Sequence, residues 1–244
     1  MHEWSLFLFT LALHISAGGI LSLTLVDRFG TSGARLSEAS FFCVLAVTGS
    51  IFSFAHLGDI PGAYRALFNP GSSWLSREAW LVGIFVCTTA LCAFQIWRKA
   101  HYRLFLSAAA CFGILATFAS SSVYAGAVTQ KWQSANPVME FYGAAFLLGP
   151  VLVAITRSGN GKDLNILSAV FGCGVILFVL NVGLSGGLHS GALIIARFLL
   201  VAIGIVVSHH ALASAKSNKL AMLATFFLVL GEGLGRYVFF MEIE

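Results

Sequence analysis

Long apolar stretches recur along the chain, and short polar connections separate them. A helix rises about 1.5 Å per residue, so about 20 residues cross a hydrocarbon core about 30 Å thick. Segments of about ten residues with alternating apolar and polar positions, which a membrane β-barrel requires, do not occur. The pattern predicts an all-α integral membrane protein with eight transmembrane helices, at about 4–26, 38–56, 78–97, 104–125, 138–156, 164–184, 190–212 and 220–240.

Composition agrees with a membrane location. The chain has 244 residues, of which 58% are hydrophobic and 10% charged, whereas a soluble domain carries about 25% charged residues. The N-terminus lacks a basic region and a small-residue cleavage site, so we expect the first apolar stretch to be retained as a span. The net charge of +4 does not indicate a nucleic-acid partner in such a chain. We expect its surroundings to be a lipid bilayer, which is the cytoplasmic (inner) membrane if the source is bacterial.

Basic residues are distributed unevenly between the two sides, which predicts the orientation. The connections after the first, third, fifth and seventh spans carry nine: Arg28, Arg35, Arg98, Lys99, Arg103, Arg157, Lys162, Lys216 and Lys219. The opposite side carries three: Arg65, Arg77 and Lys131. Because basic loops stay in the cytoplasm, both termini are predicted to be periplasmic. No strict repeat is visible, but a division near residue 138 would give two four-helix halves, 1–137 and 138–244.

The longest polar interruption is the outer loop 56–80, which belongs to the first half. Asp59 is suited to cap a short amphipathic helix over Pro61–Phe68. The sequence Asn69-Pro70-Gly71 predicts a turn after it. Ser73 or Ser76 would then cap the third span and place Glu78 in its first turn.

This arrangement predicts His56 in the last turn of one span and Glu78 in the first turn of the next, at similar depth. A quinol that is oxidised loses two protons, and a histidine and a carboxylate can receive them. Phe52, Phe54 and Trp80 would supply aromatic walls. The other interpretation is electrostatic, because helix dipoles favour a histidine at a C-terminus and a glutamate at an N-terminus. The residues alone leave both open.

Ionisable residues inside predicted spans are costly and therefore candidates for function. Arg197 lies in the seventh span, and Glu232 and Arg236 lie in the eighth. One interpretation is a structural Glu232–Arg236 pair, four residues apart, with Arg197 nearby. The other gives them a part in proton exit or in a quinone pocket. Glu140, in the first turn of the fifth span, is predicted to be interfacial.

The sequence predicts no haem, metal or iron–sulfur site. The five cysteines lie within apolar stretches without CxxC spacing, and we expect them to be packing residues. A bis-histidine haem needs two deep histidines at matching depth, and His14 has no such partner. His14 is instead a hydrogen-bonding core residue or a residue of a pocket near the quinol.

Four groups of residues together resemble one family, the DmsC type of anchor subunit of dimethyl sulfoxide reductase. They are His2-Glu3-Trp4 at the start; His56-Leu57-Gly58, Arg65-Ala66-Leu67 and Ser72-Ser73-Trp74-Leu75-Ser76-Arg77-Glu78 in the outer loop; Val123-Tyr124, Trp132 and Pro137; and Gly231-Glu232, Gly235-Arg236 and Phe239 in the last span. The resemblance extends over nearly the whole chain, and the outer loop is its most specific part.

The resemblance implies an eight-span, haem-free subunit that oxidises menaquinol to menaquinone near the periplasmic face. Electrons would pass to an iron–sulfur subunit and then to a molybdopterin catalytic subunit, both on that face. The family's quinol-linked histidine and glutamate fall on His56 and Glu78. Arg65 would contact the quinone or the iron–sulfur partner, and Trp80 and His14 complete the predicted quinone-binding set.

Three alternatives stay open at this point. Asp59-Ile60-Pro61-Gly62 departs from the family, which more often has Ser-Pro and a second basic residue there. The chain could therefore anchor a related complex with another terminal acceptor. A multi-pass transporter, with Arg197, Glu232 and Arg236 along its path, is a function of a different class. A haem-bearing cytochrome is the third. In the leading interpretation the chain performs no chemistry on the terminal acceptor.

Overall fold

Eight long α-helices make up the fold in the computed structural model, which describes residues 3–55, 62–125, 136–157, 160–184, 192–214 and 218–241. They are α1 (Glu3–Phe29), α2 (Leu36–Ala55), α3 (Trp74–Trp97), α4 (Arg103–Ala125), α5 (Asn136–Thr156), α6 (Gly161–Leu184), α7 (Ala192–Ser214) and α8 (Asn218–Met241). All eight are long and apolar enough to cross a membrane. The predicted all-α, eight-helix architecture is confirmed, and the predicted orientation stays a prediction. Following it, we call the end that carries the starts of α1, α3, α5 and α7 the outer end.

Helix α1 lies in the middle of the bundle. It packs against α2, α4, α5, α6 and α8, while α3 pairs with α4, α5 with α6, and α7 with α8. Accordingly, two thirds of its most apolar stretch is buried, compared with 17% for α7. The division into two four-helix halves stays a prediction.

Small residues allow α1 and α5 to touch along their backbones. A Cβ atom on Gly18 would overlap the carbonyl group of Ala145, and one on Gly149 would overlap the backbone of Gly18. Helix association in a bilayer depends on such close packing, since lipid removes the hydrophobic drive between helices. The contact fixes α1 against α5 and buries His14 between neighbouring helices.

Helix α3 begins at Trp74, one turn earlier than the apolar pattern predicted. Ser73 is the N-cap, and its side chain accepts a hydrogen bond from the Ser76 backbone N–H at 3.4 Å. Ser76 and Arg77 obscured this start, because a search for continuous apolar residues ends a span at such polar positions, whereas an N-cap lets the helix begin before them. Glu78 is therefore the fifth helical residue instead of a first-turn residue.

A buried ion cluster ties the inner end together. Arg157, predicted as a loop charge, is 1% exposed and donates to the Glu38 carboxylate at 2.5 Å. The Asp163 carboxylate lies 3.9 Å from the same guanidinium. The Arg157 guanidinium also donates a hydrogen bond to the Gly33 carbonyl at 3.0 Å. The cluster joins the starts of α2 and α6 to the end of α5.

Replacing Arg157 with methionine is expected to destabilise the protein strongly. The change would leave Glu38 and Asp163 buried without their cation, and breaking a buried pair in this way costs about 3–5 kcal/mol. Thermal unfolding of the detergent-purified protein measures the effect. Arg98→Met, at an exposed position at the end of α3, is the control, and equal midpoints for the two variants would contradict the prediction.

Candidate functional site

A cavity of about 540 Å³ opens at the outer end between α2, α3 and the loop that joins them. Most of its wall is apolar, and Glu78 is its only carboxylic acid among the described lining residues. Its size lies within the range of small-molecule sites, about 300–1,000 Å³. The lining residues are Phe9, Ser50, Ser53, Phe54, Tyr64, Ala66, Leu67, Leu75, Glu78, Ala79, Val82, Gly83, Val86 and Cys87.

Glu78 is the chemically distinctive residue of this cavity. Its side chain is buried, with the residue 6% exposed, and Oε1 has no hydrogen-bond partner within the described part of the chain. Ser120 and Tyr124 of α4 lie near it and do not line the cavity. Helix-dipole stabilisation acts mainly within the first turn, which holds no acidic residue in α3. The dipole alone therefore does not account for Glu78.

The outer loop forms a short 3₁₀ helix over Ala63–Leu67 instead of the predicted amphipathic helix over Pro61–Phe68. Its hydrogen bonds span three residues, from Arg65 N–H to the Gly62 carbonyl and from Phe68 N–H to the Arg65 carbonyl. The Leu67 carbonyl instead accepts a bond from the Trp80 indole N–H at 3.0 Å. That bond from α3 holds the end of the short helix. Asp59 and Pro61 lie outside the described residues.

Trp80 is half exposed and does not line the cavity. Its observed contact is with the loop backbone, so it positions the loop that forms one wall. Phe54 does line the cavity, as predicted, whereas Phe52 packs against the core. Arg65 is exposed in the 3₁₀ helix, with its guanidinium carbon 5.9 Å from the centre of the Tyr64 ring. His56 lies outside the described residues.

The predicted turn at Asn69-Pro70-Gly71 is confirmed, and Arg77 holds it. The Asn69 carbonyl accepts a bond from the Ser73 backbone N–H at 2.9 Å. The Arg77 guanidinium donates to the Pro70 carbonyl at 2.7 Å and to the Gly71 carbonyl at 2.6 Å. The same group lies 4.4 Å from the Trp74 ring centre. Arg77 thus joins the turn to the start of α3, directly before Glu78.

Replacing Arg77 with lysine is expected to weaken binding at the cavity, because an ammonium group lacks the planar fork that reaches both carbonyls. If the cavity holds the quinol that the family resemblance implies, we expect a several-fold rise in the KM for it with little change in kcat, since Glu78 is retained. Steady-state kinetics of the intact complex measure both. Arg98→Lys, remote from the cavity, is the control; a fall in kcat at constant KM would argue against this positioning role.

His14 lies in the core, away from the cavity lining. It is fully buried, and its Nδ1 lies 3.0 Å from the Arg236 guanidinium. Its ring centre is 4.4 Å from that of Phe141. Because arginine only donates, Nδ1 accepts and the proton of the neutral ring is on Nε2. His14 is thus a hydrogen-bonded core residue, and its part in the quinone-binding set stays a prediction.

The predicted Glu232–Arg236 pair is not the arrangement observed. Arg197 instead lies between two acids: it donates to the Glu140 carboxylate and approaches Glu232 Oε2 at 3.8 Å. Arg236 is turned toward His14 and the Phe141 ring. The i,i+4 rule does not predict this, because partners on α5, α7 and α1 are nearer than the residue one turn away.

Glu140 is buried, not interfacial as predicted, and is 6% exposed. Asn181 of α6 donates to it at 2.6 Å, in addition to the ion pair with Arg197. The side chains lie beside a pocket of about 160 Å³, which is lined by Asn136, Pro137, Glu140, Asn181, Arg197, Gly235, Val238 and Phe239. The partners of Glu140 are 41 and 57 residues away along the chain, so no local pattern could have indicated them.

Comparison with known proteins agrees with this architecture. Residues 1–191 match the family described as DMSO reductase anchor subunit (DmsC). The sequence is also 26% identical, over 98% of its length and 94% of the relative's, to the C subunit of the anaerobic dimethyl sulfoxide reductase of Escherichia coli (strain K12). With its eight helices, it is a multi-pass protein of the bacterial inner membrane. The chain belongs to the DMSO reductase anchor subunit (DmsC) family.

Proposed function

We propose that this chain anchors a respiratory molybdoenzyme of the DMSO reductase type and oxidises menaquinol in the Glu78 cavity. One observation carries the proposal: a buried carboxyl oxygen without a hydrogen-bond partner among the described residues lies on the wall of an otherwise mainly apolar cavity. A buried polar group without a partner is costly, and a ligand hydroxyl would satisfy it. A lipid-soluble quinol supplies both the hydroxyl and the apolar ring.

The cavity suits a substrate that arrives from the bilayer. Phe54 and Leu75 line it and are 55% and 44% exposed, so the wall continues onto the surface that faces lipid. An apolar tail could stay in the lipid while the ring enters between α2 and α3. The family match and the E. coli relative, itself a subunit of a dimethyl sulfoxide reductase, support a reductant that serves a respiratory reductase.

The reaction requires two proton acceptors and an electron acceptor. Oxidation of the quinol breaks two O–H bonds and releases two protons and two electrons. Glu78 would accept a hydrogen bond from one hydroxyl and then its proton, which is general base catalysis. His56, with a pKa that is ordinarily near neutrality, would serve the second hydroxyl.

The electrons would leave to another chain. The five cysteines are free and lie apart on α2, α3, α4 and α6, which does not provide the four thiolates of a common cluster. We therefore infer an iron–sulfur subunit docked at the outer, periplasmic face, which passes the electrons to a molybdopterin catalytic subunit. That subunit decides the terminal acceptor, so a related complex with another acceptor would use the same quinol chemistry here.

The proposal is tested by supplying electrons in two ways to the intact complex. A menaquinol analogue must react in this chain, whereas a reduced dye delivers electrons directly to the partner subunits. Loss of only the first activity in Glu78→Gln would support the proposal. Substrate transport by the purified chain alone in liposomes would instead favour a transporter.

A further inference from the structure

A buried charge cluster lies in the outer half of the bundle, on helices that do not line the quinol cavity. Its members are Glu140 on α5, Arg197 on α7, and Glu232 and Arg236 on α8. Glu232 is 1% exposed and Arg236 is fully buried. Charged groups at such depth are costly and mark functional sites in membrane proteins more often than surface charges do.

The two acids of the cluster differ in their partners. Glu140 has an ion pair with Arg197 and a hydrogen bond from Asn181. Glu232 has only the 3.8 Å approach of Arg197, and its Oε2 has no hydrogen bond from any described residue. Arg236, one turn along α8, is directed to His14 of α1. Glu232 is thus the carboxyl group that can gain or lose a proton without breaking a hydrogen bond at that oxygen.

Polar residues of α4 and α8 connect the quinol cavity with this cluster. Ser120 lies close to the Glu78 carboxyl group and Tyr124 lies within electrostatic range of it, and neither residue lines the quinol cavity. Tyr124 also lies within electrostatic range of Arg236, and its ring packs on Phe141 at 5.6 Å. The Arg236 guanidinium carbon is 3.9 Å from the centre of that same Phe141 ring. Tyr124, whose hydroxyl can both accept and donate, therefore lies within electrostatic range of Glu78 and of Arg236 in the cluster.

The cluster also has its own opening at the outer end. The 160 Å³ pocket contains Glu140 and Arg197 and reaches Asn136 and Pro137 at the start of α5. Four of its eight described lining residues are polar, and it has room for several water molecules, each of which needs about 30 Å³. A proton held in the cluster could leave by this pocket without passing back through the apolar quinol cavity.

We propose that Glu232, with Glu140 and Arg197, is a proton relay that takes the quinol proton from Glu78 and releases it through this pocket. The relay moves one proton and no electron. An O–H bond forms at the Glu232 carboxyl as the one at Glu78 breaks, with Tyr124 as the intermediate donor and acceptor. The bond at Glu232 then breaks as a water molecule accepts the proton; because Glu232 does not itself line the pocket, that water would reach it past Arg197 and Glu140, which do. This inference rests on the proposed function of Glu78.

A purely structural cluster would have the same contacts, so the test needs a readout that packing does not alter. The quinol-driven turnover of the intact complex carrying Glu232→Gln is measured across pH and in H₂O and D₂O, with dye-driven turnover as a check on assembly. We expect quinol-driven turnover to fall about tenfold or more, with a larger solvent isotope effect and an altered pH profile. Glu232→Asp, which keeps a proton acceptor, is expected to restore part of the rate.

Asp27→Asn is the matched control, because Asp27 is also a buried acid with an arginine partner, Arg103 at 3.0 Å, but lies at the inner end. Its isotope effect and pH profile are expected to equal those of the unmodified protein. Unchanged quinol-driven turnover in Glu232→Gln would overturn the relay. A slower rate with an unchanged isotope effect and pH profile would also overturn it and show a structural role.

Two further results keep this inference separable from the proposed function. If Glu78→Gln retains quinol-driven turnover, the proposed function itself fails. If Glu78→Gln loses that turnover and Glu232→Gln retains it, the relay alone fails. If Glu232→Gln does not assemble, Glu232→Asp takes its place. Infrared difference spectra of the reduced and oxidised complex should then show an exchangeable carboxyl band that the aspartate shifts, and an unshifted spectrum would refute the relay.

Discussion

Glu78→Gln is expected to lower menaquinol-driven turnover of the complex by about 100-fold or more, the usual contribution of a general base. Turnover driven by a reduced dye should stay within about twofold of normal, since the dye bypasses this chain. Glutamine keeps the size of the side chain but cannot accept the proton. Because Oε1 makes no hydrogen bond with the described residues, the change breaks no contact of that atom and stability should be preserved.

Two companion variants test whether the loss of activity comes from the missing proton acceptor. Glu78→Asp keeps a carboxyl group but withdraws it from the cavity, and we expect an intermediate rate. Thr88→Val lies on the same helix, where the threonine hydroxyl bonds only to backbone carbonyls one turn before it, and should be unaffected. Parallel loss of quinol-driven and dye-driven activity in Glu78→Gln would indicate failed assembly and contradict the proposed role.

Gly83→Leu is expected to block the cavity and raise the KM for a menaquinol analogue at least about tenfold. Gly83 lines the cavity, and a Cβ atom there would meet no other atom within 4 Å. A leucine side chain can therefore enter the space without displacing the fold and would occupy part of the volume that the ring needs. Replacing glycine within a helix also removes a cost of about 1 kcal/mol, so stability should not fall.

Gly172→Leu is the matched control for this steric block. Gly172 lies within α6, and a Cβ there also meets nothing within 4 Å, but the residue does not line the cavity. The control is expected to bind and oxidise quinol normally. Measurement of kcat and KM with the quinol analogue compares the two variants, and an unchanged KM in Gly83→Leu would place the substrate elsewhere.

The two variants separate occupancy of the site from its chemistry. Glu78→Gln should chiefly lower kcat, because the cavity keeps its shape and loses a proton acceptor. Gly83→Leu should chiefly raise KM, because the acceptor stays in place while the space is filled. The opposite assignment would mean that Glu78 binds substrate without taking its proton.

The sequence by itself determined the membrane class and the number of helices. A bilayer requires about 20 consecutive apolar residues in each helix, so each span can be recognised from its own residues without knowledge of its neighbours. The turn at Asn69-Pro70-Gly71 was predictable for the same reason, since turn chemistry depends on adjacent residues. The proposed quinol role of Glu78 required the family resemblance, because the local pattern left the helix dipole as an open explanation.

Only the tertiary structure decided which polar groups meet. It showed that α3 starts at Trp74 and buries Glu78 beyond the first turn. It also joined Glu140 to Arg197, and Arg236 to His14, across different helices. Helical periodicity shows which residues share a face but not which faces meet. Those contacts follow from the packing of the whole bundle, with five helices directly against α1, where positions such as Gly18 and Gly149 set the distances.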